Sequence, residues 1–75
     1  MVGTQYREII EYLKEAVLDL ENAKDILRDR IKKIRKYLDE NLDEEQFEEL
    51  QYLKSRLGDI EYIIEMIEDV IRDLS

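Results

Sequence analysis

The chain contains no cysteine, histidine, proline or tryptophan, and only two glycines and one phenylalanine. Each absence narrows what the protein can be. Without Cys there are no disulfides and no thiolate metal sites. Without His, the commonest general base and the commonest transition-metal ligand are both missing. A chain of 75 residues holds one small domain at most, and a core of that size is marginal on its own. With disulfides and metal excluded, the remaining routes to stability are very regular helix packing, association, or both.

Other shortages bear on location and partners. No apolar run approaches the roughly 18 residues of a membrane span. No basic stretch followed by an apolar stretch opens the chain, so the expectation is a cytoplasmic protein. The formal net charge is −8, and a nucleic-acid binder needs a net basic face to neutralise phosphates. Disorder is disfavoured as well, because 44% of the residues are hydrophobic alongside 43% charged. Lys, Glu, Arg, Ile and Tyr are plentiful where labile residues are scarce. Two origins fit that composition: a hyperthermophile or its virus, or a computational design.

What is present is a repeat. Apolar residues alternate at spacings of three and four: Ile10, Leu13, Val17, Leu20, Leu27, Ile31, Ile34 and Leu38, then Leu50, Leu53, Leu57, Ile60, Ile64, Ile67, Ile71 and Leu74. A heptad pattern sustained over about four heptads predicts two long coiled-coil-like helices. If they run antiparallel, each pair from Ile10 with Leu74 to Ile34 with Leu50 is centred on position 42. The turn chemistry agrees. Asp43 and Gln46 form a capping-box pattern, and Leu42 with Phe47 forms a hydrophobic-staple pattern. Glu44 and Glu45 suit the start of a helix, and Lys32, Lys33, Arg35 and Lys36 suit the end of one. Asn41 suits a left-handed residue that ends a helix. The expectation is an all-α antiparallel helical hairpin: helix 1 over about 4–40, a turn at about 41–43 and helix 2 over about 44–74. Two alternatives are a pair of unrelated amphipathic helices, or a third helix created by a break at Gly58.

The two flanks of this hairpin differ. With Ile10 and Leu50 at heptad position a, the e rows are largely charged: Lys14, Glu21, Arg28 and Arg35, then Phe47, Lys54, Glu61 and Glu68. The g rows contain Ile9, Ala16, Ala23, Arg30 and Tyr37, then Glu49, Arg56, Ile63 and Val70, with Tyr12, Ile26, Tyr52 and Met66 beyond them at c. A two-helix hairpin has no interior beyond its seam, so this second apolar flank has to be covered or stand exposed. Ile9, Tyr12, Ala16, Ala23, Ile26, Ile63, Met66 and Val70 are therefore the candidate interface. The expected occupant is a second copy, giving a homodimeric four-helix bundle.

Lys24 occupies the one seam position without an apolar residue. A lone Lys there commonly specifies register or oligomer state, and its ammonium can snorkel to Glu21, Asp25 or a partner carboxylate. No second base or phosphate loop accompanies it, which weighs against a catalytic lysine. Glu61, Glu65, Glu68 and Asp69 cluster near the end of helix 2 but lack the inward Glu-x-x-His pattern of a di-metal bundle. Arg72 can pair with Glu68 at i, i+4. The basic stretch from Arg28 to Lys36 is balanced by neighbouring acids. The functional expectation is a non-enzymatic, self-associating structural hairpin, thermostable, without cofactor, metal, small-molecule substrate, membrane or nucleic-acid partner. The alternative is an acidic protein–protein interaction module, a regulator or antitoxin-like adaptor that binds another protein through the same flank.

Overall fold

The computed structural model describes residues 5–75. It contains two long helices, α1 (Arg7–Glu40) and α2 (Glu44–Leu74), packed against each other as a hairpin. The expected start of helix 1 near residue 4 lies outside the described residues. Helix α2 runs through Gly58 without a break. A Cβ built at Gly58 meets nothing within 4 Å, so this helical glycine has only the entropic disadvantage of its type. Gly58→Ala is accordingly expected to raise stability by up to about 1 kcal/mol, read as a shift in the thermal or urea midpoint.

The heptad spacing accounts for the packing. The buried residues are Ile10, Ile31, Ile34, Leu50 and Ile64. The half-buried ones include Leu13, Val17, Leu20, Lys24, Leu27, Leu38, Leu53, Leu57, Ile60, Ile67, Ile71 and Leu74. Together these are the a and d positions of both helices, with Lys24 in its place among them. Burial is uneven along the seam. Ile31, Ile34 and Leu50 form a cluster near the turn, with Leu27, Leu38, Leu53 and Leu57 packed around it. Toward the open end only Ile10 and Ile64 are buried.

Asp43 caps α2. Its backbone is extended, and its Oδ1 accepts a hydrogen bond from the Gln46 amide at 3.2 Å, with Glu44 and Glu45 in the first turn. This satisfies one of the free amides that open any helix. Asp43→Ala should cost about 1 kcal/mol of unfolding free energy in a denaturant titration; an unchanged midpoint would mean that the cap contributes nothing.

Three expectations for this region need correction. Asn41 is extended, at φ −134°, rather than left-handed. The reason is visible in its side chain, whose Nδ2 donates to the Tyr37 carbonyl at 2.9 Å, so an orphan carbonyl is satisfied without a left-handed turn. The Leu42–Phe47 staple does not form, because Leu42 is fully exposed at the tip. The last turn of α1 contains no basic residue. The helix continues to Glu40, which leaves Lys32–Lys36 one turn short of the end and places Asp39 and Glu40 there instead.

The resulting shape is a rod of 60 × 15 × 13 Å with a radius of gyration of 17.2 Å, against about 11 Å for a compact domain of this length. No side chain is completely sealed from solvent among the described residues. No described helix is long and apolar enough to cross a membrane.

Candidate self-association surface

Around a helix, position g adjoins d and position c adjoins g, so the g and c rows extend the seam sideways on one flank. That flank holds most of the exposed large apolar side chains. Ile9, Tyr12, Ile26, Ile63, Met66 and Val70 are between 44% and 72% exposed, and Tyr37 and Tyr52 share the flank nearer the turn. Ala16 is half-buried at its edge and Ala23 is exposed. On the α2 side, Ile63, Met66 and Val70 line one groove together with Leu13 and Ile67 of the seam. Ile9, Tyr12, Ala16, Ala23 and Ile26 stand on the α1 side of the same flank, outside that groove. Tyr12 borders an acidic patch made by Glu8, Glu11 and Glu15.

The charge on this flank is small. Within the apolar stretch, the charges of the g and c rows are Asp19, Arg56, Asp59 and Asp73. Arg56 donates to Asp59 Oδ2 at 3.1 Å and lies over the Tyr52 ring, 5.3 Å from its centroid. Contact with Tyr52 first, and with Asp59 after it, pushes the Arg56 pKa above its ordinary value. That leaves Asp19 and Asp73 as the uncompensated charges of the stretch among the described residues, although the whole chain carries −8. The acidity of the protein is concentrated elsewhere.

No family model, curated protein or solved structure matches this chain.

Lys24 lies in the seam with its side chain 15% exposed, and its Nζ meets Glu21 Oε2 at 3.2 Å. This is the snorkelling geometry anticipated for a lysine at an a position, with the charge led out to the e flank. On that flank Arg28 and Glu61 form the one ion pair between α1 and α2 among the described residues, at 3.9 Å. The other described ion pairs lie within single helices and are exposed, where such pairs contribute about 0–1 kcal/mol. Arg72 pairs with Asp69 at 2.6 Å rather than with Glu68, because the i, i+3 partner is the one its guanidinium reaches.

Two exposed apolar side chains stand outside the expected rows, Leu18 and, on the outer face at position f, Tyr62. Leu18, at position b and 64% exposed, belongs to the nominally polar flank, where Lys14, Val17, Leu18, Glu68, Ile71, Arg72 and Ser75 line an open groove. The signal was local: Leu18 follows Val17, an a residue, so the seam widens on the e side at that turn.

Proposed function

We propose that this chain is a non-enzymatic structural element that self-associates through the flank formed by Ile9, Tyr12, Ala16, Ala23, Ile26, Ile63, Met66 and Val70. Two hairpins together make a four-helix bundle. The observation that carries this reading is an excess of surface. The hairpin exposes 6274 Å², whereas a folded monomer of 9.1 kDa typically exposes about 4,900 Å². The surplus, about 1,400 Å² per chain, exceeds the roughly 800 Å² that each partner contributes to a standard stable interface. A second copy covering the apolar flank would remove much of that surplus.

The uneven seam supports the same reading. Burial is greatest near the turn, where Ile31, Ile34 and Leu50 form a cluster and the flank is polar. It is partial toward the open end, where the flank is apolar and Leu13 and Ile67 form the floor of the Ile63–Val70 groove. The half that the hairpin leaves incomplete is the half with an apolar surface to offer. The apolar stretch carries two uncompensated acids, Asp19 and Asp73, out of a chain charge of −8, so two chains that meet there bring together only a small part of that charge.

Light scattering of the purified protein tests the reading, with a mass of twice the chain expected. A monomer would overturn it, and dye binding at the Ile63–Val70 groove of that monomer would direct the same flank to a different protein.

A further inference from the structure

The two helices contribute unlike halves to the apolar flank, and the difference determines how a second copy docks. This inference rests on the self-association reading and adds the orientation. In the open half, α1 has a notch at Ala16 and Ala23, bounded by the large Ile9, Tyr12 and Ile26, while α2 presents Ile63, Met66 and Val70. In the seam register that sets Ile10 beside Leu74 and Leu20 beside Ile64, Ile63 and Met66 stand at heights between Ala16 and Ala23. Toward the turn the contrast is one of charge. The α1 side carries Arg30 and Lys33, and the α2 side carries Glu45 and Glu49. Among the described residues, none of these four takes part in an ion pair of the hairpin itself.

Two hairpins can meet flank to flank about two kinds of two-fold axis. An axis across the rods sets α1 against the partner's α1 and α2 against the partner's α2, with the turns at opposite ends. Alanines then face the small side of the flank, and Ile63 and Met66 crowd their own copies. Arg30 and Lys33 either lie over the apolar stretch or, if the rods slip, find no acidic row. An axis along the rods sets α1 beside the partner's α2, with both turns at the same end. Each alanine notch then receives the partner's Ile63 and Met66, and Lys33, level with position 51 in that register, approaches the partner's Glu49. Size and charge, two independent features, select the same arrangement. We infer that the occupant of the flank is a second copy of this chain related by a two-fold axis parallel to the rod, with the two Asn41–Asp43 turns side by side.

The test uses the full chain with a single nitroxide label at the turn. Leu42 is fully exposed there and outside the flank, and the protein has no native Cys, so Leu42→Cys takes the label uniquely. Two bundled hairpins with turns at one end place the labels about 20–30 Å apart, roughly two helix diameters. Turns at opposite ends place them near the 60 Å length of the rod. Pulsed dipolar spectroscopy separates the two, with light scattering on the same labelled sample. A dimer with the short distance supports the inference. A dimer with the long distance overturns the orientation and leaves self-association standing. A monomer overturns both.

Discussion

Ile63→Glu is expected to convert the protein into a helical monomer. In the isolated hairpin Ile63 is 44% exposed at the rim of the groove that it forms with Leu13, Met66, Ile67 and Val70. A glutamate there can turn its carboxylate to water, and Glu is at least as good a helix former as Ile, so helicity should survive. In the proposed bundle the same carboxylate would be shut between two chains with no cation assigned to it, a cost of several kcal/mol that a group avoids only by neutralising or by leaving the interface. Both copies carry it. Each 1.4 kcal/mol is a factor of ten in affinity, so a loss of about 3 kcal/mol or more weakens association at least 100-fold. Light scattering should report the single-chain mass while far-UV circular dichroism stays close to wild type. Ala16→Glu, on the α1 side, should act the same way. Tyr62→Glu, on the outer face, should leave the dimer intact. If Ile63→Glu remains dimeric, the flank assigned here is not the interface.

Ile34→Ala should produce the largest loss of folding stability of any single truncation near the turn. Ile34 is 5% exposed and sits in the cluster with Ile31 and Leu50. Removing a well-buried Ile side chain to Ala costs about 2–5 kcal/mol in transfer and cavity terms. A chain of this length has only about 4–11 kcal/mol of total stability, so the variant should lose a large fraction of it. The comparison with wild type has to be made at one protein concentration, because the midpoint of a dimer rises with concentration. A loss below 1 kcal/mol would mean that the turn-proximal seam is not the principal core.

The hairpin and the buried face of each helix could be read from the sequence because both are sums over many residues. Sixteen apolar positions at alternating spacings of three and four fix the phase of each helix, and no single residue can shift it. That is why Lys24 and Gly58 do not disturb the pattern. The Asp43 cap was legible for another reason: side-chain capping requires a short polar acceptor at one place. The errors fell where one residue chooses between nearly equal local solutions. Asn41 could end α1 with a left-handed backbone or with its side-chain amide, and the structure takes the second. Arg72 had carboxylates at both i−3 and i−4 and pairs with the nearer in sequence, Asp69. Leu42 and Phe47 matched a motif whose contact depends on the direction in which the chain leaves the turn. The apolar flank could be listed residue by residue, but the surplus of surface that gives it weight is a property of the folded rod.

The gradient of burial along the seam also has a kinetic meaning. The tightest contacts, Ile31 and Ile34 with Leu50, are separated by short stretches of chain across a capped turn, so closing them costs little loop entropy. Pairings nearer the open end, such as Ile10 with Leu74 in the expected register, enclose nearly the whole molecule. A hairpin built this way closes like a zip from its fixed end, with rapid, mostly local folding. Apart from the buried Ile10, its last teeth are ones that a single chain covers only in part. Docking of a second hairpin would therefore do more than cover a surface, because it would fasten the open ends of both chains against fraying.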